Sequence, residues 1–142
     1  FLFADSIAQG KPVTIFNQGL LRRDFTYIDD IVEGIVRVAA LPPEAHSAYD
    51  RAHPDPSTSS APYRIMNIGN HEPVEVNHLL SLIEQGLGKK AHIIHAPMQK
   101  GDVEATFADT EPLARLTGFT PCTSLETGIE RFIAWYKDFY HV

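Results

Sequence analysis

Short β-branched runs alternate with segments of helical period along this chain, and that alternation narrows its fold more than any other feature. Phe1 to Gln9 has apolar residues at 1, 3, 4, 7 and 8 and is stopped by Gly10 and Pro12, which predicts a helix whose beginning lies upstream. Val13-Thr14-Ile15-Phe16 reads as a strand and Asn17-Gln18-Gly19 as the turn after it. Asp24-Phe25-Thr26-Tyr27-Ile28 reads as a second strand running into Asp29-Asp30, either of which is placed to cap a helix through Ala40. Tyr63 to Ile68 reads as a strand stopped by Gly69-Asn70, Asn77 to Leu87 as a helix stopped by Gly88, and Ala91 to His95 as a strand. Pro97 to Asp102 is a polar turn, and Thr110 to Leu116 a short helix closed by Gly118. A last helix is expected to run to about Tyr140, because Thr123 and Glu126 have capping-box spacing and Leu125, Ile129, Phe132, Ile133 and Tyr136 share one face. The class is α/β, or α+β if the strands pair antiparallel.

The pattern stops between Pro42 and Pro62, where five of the ten prolines and the run Ser57-Thr58-Ser59-Ser60 fall. Backbone pairing is hard to sustain there, and a flexible Pro/Ser-rich loop over 42–62 is expected. The 142 residues are enough to bury a core, and 44% apolar with 21% charged residues is ordinary for a globular protein. No apolar run approaches the roughly 20 residues that cross a bilayer. The opening residues have neither a starting Met nor a basic region, so they are expected not to be a signal peptide, and the missing Met hints at a fragment. A formal charge of -6 would on average repel a phosphate backbone, and Arg22-Arg23 and Lys89-Lys90 form no aromatic-interleaved basic stripe, so nucleic acid is not an expected partner. A lone cysteine, Cys122, suits a reducing cytoplasm.

Pattern alone supplies no catalytic site. No G-x-G-x-x-G follows a strand, and Gly86-Leu87-Gly88 closes a helix instead of opening one. His92 and His95, three apart in a strand, point to opposite faces and do not suit one metal ion, so no metal site is expected. Asp29-Asp30 suits capping better than joint acid–base work, because adjacent helix positions diverge by about 100°. Arg23, on a turn before a strand, has the planar fork that grips phosphate oxygens, although such an arginine also serves as an ordinary salt-bridge partner. Asp102 is placed either to accept bonds from a ribose diol or simply to make a turn.

Four stretches taken in order carry a resemblance: Arg23-Asp24-Phe25-Thr26-Tyr27-Ile28-Asp29-Asp30-Ile31-Val32, Tyr63 to Asn70, Met98-Gln99-Lys100-Gly101-Asp102-Val103, and Gly118-Phe119 with Trp135-Tyr136. Together they resemble the carboxyl-terminal part of extended short-chain dehydrogenase/reductases of Rossmann type, in the NAD-dependent epimerase/dehydratase group, and most of all the UDP-glucuronate 4-epimerases. The resemblance covers nearly the whole chain outside Pro42 to Pro62. It implies a UDP-sugar substrate, with backbone groups of Thr14 reading the uracil edge, Phe16 packing on the ring, Arg23 on the diphosphate and Asp102 on the uridine ribose. Gln99 stands where related UDP-galactose 4-epimerases have arginine. Family members bind NAD in an amino-terminal domain that also carries a Tyr-x-x-x-Lys pair. No tyrosine here is followed four places later by lysine, so residues 1–142 are expected to be the UDP-sugar-binding portion, with no catalytic or cofactor-binding residue, no NAD bound by the chain alone, and no activity alone. The resemblance also places Tyr63 to Ile68 in the dinucleotide-binding sheet and Asp29 to Ala40 as a helix packed on it. A homo-oligomer is compatible with it. The alternatives are a non-catalytic module that binds a nucleotide sugar or a protein, and part of a related sugar-nucleotide dehydratase or decarboxylase.

Overall fold

The computed structural model describes residues 1–142. Helix α1 (Leu2–Ala8) leads into strand β1 (Pro12–Phe16), a 3-10 turn (Asn17–Gly19) and strand β2 (Arg22–Asp24), followed by helix α2 (Ile28–Ala39). After a long irregular stretch come β3 (Pro73–Glu75), α3 (Val76–Leu87), β4 (His92–Ala96), α4 (Glu111–Thr117) and α5 (Leu125–Tyr140). The strands form two pairs. β1 runs parallel to β4 with Pro12 opposite His92 and Phe16 opposite Ala96, while β2 runs antiparallel to β3 with Arg22 opposite Glu75 and Asp24 opposite Pro73. The fold is α/β, and no helix is long and apolar enough to cross a membrane.

The core follows from the sequence periods. Val13 and Ile15 alternate inward along β1, leaving Thr14 exposed, and meet Ala4 and Ile7 of α1, Leu80 and Ile83 of α3, and Ile133 and Tyr136 of α5. Gly88 ends α3 in the left-handed conformation at φ 66°, which a residue without Cβ adopts at no steric cost. Just before that stop, Glu84 Oε2 sits 2.7 Å from Lys90 Nζ and its Oε1 accepts the Ala91 N–H at 2.8 Å, fixing the entry to β4. Those two donors, Lys90 foremost, hold the Glu84 carboxyl below its usual range. A depressed carboxyl contributes stability above its unfolded-state value, about 4.3, and loses it as pH falls through the lower folded value. The variant Glu84→Gln is therefore expected to flatten the acid side of a melting-temperature profile below about pH 5, while the wild type keeps its slope.

Several boundaries differ from the sequence reading. The second strand is Arg22–Asp24 and not Asp24 to Ile28, because the ladder ends at Pro73, which brings no N–H to pair with. Neither Asp29 nor Asp30 caps α2: the N-cap is Tyr27, both acids lie in the first turn, and the buried Asp30 accepts the Thr123 N–H at 2.9 Å. Tyr63 to Ile68 forms no strand. Arg64 makes one bridge to Thr58, and Tyr63 and Ile65 are exposed, because a strand needs a neighbour to take its backbone groups and these residues have none along their length. The N-cap of α5 is Ser124, whose hydroxyl accepts the Thr127 N–H, one residue later than the Thr123 and Glu126 spacing suggested. Glu126 instead meets His78 of α3 at 2.7 Å. Between α2 and Pro62 the chain has no helix or strand, and its turns are closed by side chains, as where Asp55 accepts both the N–H and the hydroxyl of Ser57.

Candidate functional site

Strand β2 is the spine of the site. On one edge it carries β3. On the other the Arg22 N–H donates to Glu104 O at 2.8 Å and the Thr106 N–H to Arg22 O at 3.2 Å, so residues 104–106 lie along it as a strap. This arrangement brings Arg23 to Asp102. The guanidinium donates from Nη2 to Asp102 Oδ1 at 2.6 Å and from Nη1 to the carbonyls of Arg22 at 2.8 Å and Val103 at 3.0 Å. Asp102 Oδ1 also accepts the Val103 N–H at 2.9 Å. Three of the five guanidinium N–H groups are thereby committed. Nε–H, one Nη2–H and Asp102 Oδ2 have no protein partner. With side-chain exposures of 25% and 28%, the pair is partly shielded and still open to solvent. A fixed cation fork beside a carboxylate with one open oxygen can bind an anion and a hydroxyl side by side.

The other expected residues make no side-chain hydrogen bond to this pair. Thr14 is exposed on β1, and Phe16 is half-buried at its end opposite Ala96. The chain passes from Ala96 into the turn that holds Gln99, whose carbonyl accepts the Asp102 N–H at 3.2 Å and whose side chain is exposed. Strand pairing therefore connects the β1 end to the turn that delivers Asp102.

Sequence reasoning missed Asp24, the neighbour of Arg23. Its Oδ1 accepts the Asn70 N–H at 3.0 Å, and its Oδ2 accepts the N–H groups of His71 at 3.0 Å and Ala108 at 3.1 Å. An acid at the head of a strand-like run asks for partners, and that was the available signal. The chain's apolar cleft of about 500 Å³ lies elsewhere, between α1, α3, α5 and residues 25–27. Its lining, including Leu79, Ile83, Ile129 and Phe132, has no carboxylate, histidine, lysine or arginine, and Tyr27 is its one titratable side chain. No three His, Cys, Asp or Glu side chains cluster as a metal site.

Residues 1–69 match the NAD dependent epimerase/dehydratase family. A probable UDP-glucuronate 4-epimerase from Rhizobium meliloti is 42% identical over 144 residues, which cover 99% of this chain and 41% of that protein. UDP-glucuronate 4-epimerase 1 of Arabidopsis thaliana is 40% identical, covering 99% of this chain and 32% of that protein. Among solved structures, the Bacillus cereus UDP-glucuronic acid 4-epimerase in complex with UDP-glucuronic acid and NAD superimposes with a TM-score of 0.72 at 27% identity, covering 97% of this chain and 39% of the other. The chain spans about two fifths of the length of the first curated relatives it matches. Its fold is that of the Rossmann-type extended short-chain dehydrogenase/reductase epimerases. The chain is thus similar to the NAD-dependent epimerase/dehydratase family through residues 1–69, and to the UDP-glucuronate 4-epimerases named above over nearly its full length.

The junctions where β2 and β3 lead into helices do not fit a dinucleotide. A pyrophosphate cradle needs a strand, a glycine-rich turn and a helix start in sequence. Here β2 reaches α2 through Phe25, Thr26 and Tyr27, and β3 runs directly into α3, with no glycine at either junction.

Proposed function

We propose that this chain is the nucleotide-sugar-binding, carboxyl-terminal part of an NAD-dependent UDP-glucuronate 4-epimerase. The observation that carries this reading is the Arg23–Asp102 pair at 2.6 Å, which leaves two guanidinium N–H groups and one carboxylate oxygen open. Arg23 grips the diphosphate, whose negative charge matches a fork already held in place by two carbonyls and a carboxylate. Asp102 Oδ2 accepts from the uridine ribose. Thr14 offers backbone groups to the uracil edge, Phe16 packs on the ring, and Gln99 lines the phosphate side from the turn. Binding energy from this remote end holds the nucleotide while the sugar is transformed. NAD and the tyrosine and lysine that move protons belong to the complete enzyme and are not supplied by these residues. The chain alone is therefore inactive toward UDP-glucuronate even with NAD added.

Calorimetric titration tests the reading. UDP is expected to bind saturably, UMP more weakly because it lacks the second phosphate, and ADP more weakly because its base is wrong for the β1 edge. Equal affinity for UDP and ADP, or no UDP binding, overturns it.

A further inference from the structure

We infer that Asp24 is a positioning residue for the nucleotide anchor: its carboxylate latches the 69–71 turn and the 102–108 strap onto β2, and so sets the Arg23–Asp102 geometry without touching the ligand. The inference rests on the reading of Arg23 and Asp102 as the anchor, and it extends that reading to a residue that has no ligand contact of its own.

Three observations carry it. The Asp24 carboxylate takes two successive backbone N–H groups, Asn70 on Oδ1 and His71 on Oδ2, and then a third from Ala108 on Oδ2. It thus ties together segments 46 and 84 residues away in sequence, and a carboxylate that accepts several N–H bonds holds them more strongly than a neutral acceptor would. The two segments also grip each other, since His71 Nδ1 donates to Ala108 O at 2.8 Å and Asn67 Nδ2 lies 3.4 Å from Asp109 O. The backbone is shaped to admit the carboxylate. A Cβ at Gly69 would fall 2.5 Å from Ala108 Cβ and 2.7 Å from Asp24 Oδ2, and His71 is held at φ 56°, a left-handed conformation that costs energy for a residue with a side chain.

The strap meets β2 at three places: Asp102 and Val103 on the Arg23 guanidinium, residues 104–106 on the Arg22 backbone, and Ala108 on the Asp24 carboxylate. Arg23 must stay partly free to bind an anion, and the 104–106 contact is two backbone bonds long. The fixed charge that secures the far end is Asp24.

The test compares Asp24→Asn and Gly69→Ala with Ile133→Val, a core change far from the site. Gly69→Ala keeps the Asp24 charge and pushes the turn away from it, so the two site variants reach the same junction by different routes. Amide hydrogen exchange is read at Val103 and Thr106, neither of which bonds to Asp24, together with UDP affinity by calorimetry. Exchange at Val103 and Thr106 is expected to rise about tenfold in either site variant and to stay unchanged in Ile133→Val, and UDP affinity to fall about tenfold, the equilibrium equivalent of one charge-assisted hydrogen bond. Faster exchange confined to Asn70, His71 and Ala108, or a loosened strap with UDP affinity intact, overturns the inference. If Asp24→Asn does not fold, Gly69→Ala decides by the same readings. A wild-type chain that binds no UDP overturns the anchor reading, while the exchange arm still shows whether Asp24 holds the strap.

Discussion

Replacing Tyr136 with alanine is expected to destabilise the chain by about 3–5 kcal/mol, the cost of emptying a large aromatic site in a close-packed core. Tyr136 is 2% exposed and sits where α5 crosses the α1 end of the core. Its ring lies 4.8 Å from that of Tyr140, 5.9 Å from Phe1 and 6.0 Å from Phe132, and its hydroxyl donates to Asp5 Oδ1 at 3.3 Å. Burial, with the Asp5 charge beside it, pushes the phenol above its usual range, so it donates as a neutral group at neutral pH. Against a typical total of about 5–15 kcal/mol, the loss is a large fraction of all the stability there is. The variant Tyr136→Phe keeps the ring and gives up one hydrogen bond, so it is expected to cost only about 1 kcal/mol. Urea unfolding of the two variants separates the contributions, and a loss below about 1 kcal/mol for the alanine variant would mean that the core is not centred on α5.

Arg23→Ala is expected to weaken UDP binding by about 1.5–3 kcal/mol, roughly a ten- to 150-fold rise in Kd. The arginine is preorganised: Nη1 is anchored on two carbonyls and Nη2 on Asp102, so little side-chain freedom is lost when an anion arrives. For the same reason Arg23→Lys is not expected to restore affinity, since one ammonium cannot span two carbonyls and a carboxylate and still present a flat edge to a phosphate. Asp102→Asn should cost less, because an amide oxygen can still accept from Nη2. Calorimetry on the three variants, with melting temperatures measured alongside, checks the order. Unchanged affinity in Arg23→Ala removes it from the site.

What the sequence made legible was whatever repeats with a local period. Val13 and Ile15 alternate as a half-buried strand must, and Leu80 and Ile83 mark the inner face of a helix that stops at the expected glycine. The errors came from distant partners. Pro73 decides where β2 ends, and nothing near Asp24 announces Pro73. Tyr63 to Ile68 has the composition of a strand and lacks what a strand requires, a partner along its edge. At the site, Arg23 and Asp102 were singled out separately, as a fork and as a turn acid, but their contact joins positions 79 residues apart. Asp24 left the faintest trace because it binds backbone N–H groups, which every residue but proline carries. Besides the acid itself, Gly69, which has to make room for the carboxylate, marks the place.

The parallel pairing of β1 with β4 also bears on the order of folding. Pro12 meets His92 across most of the chain, and the Arg23 and Asp24 contacts close loops of 79 and 84 residues. Loops of that span cost entropy before their contacts repay it, whereas α3 and α5 gain their bonds locally. Helix formation is therefore expected to precede the long-range ties, and weakening those ties is expected to speed unfolding more than it slows folding. The Arg23–Asp102 contact is expected to form late in folding, and a ligand that spans it, by holding its two sides together, is expected to act as a brake on unfolding.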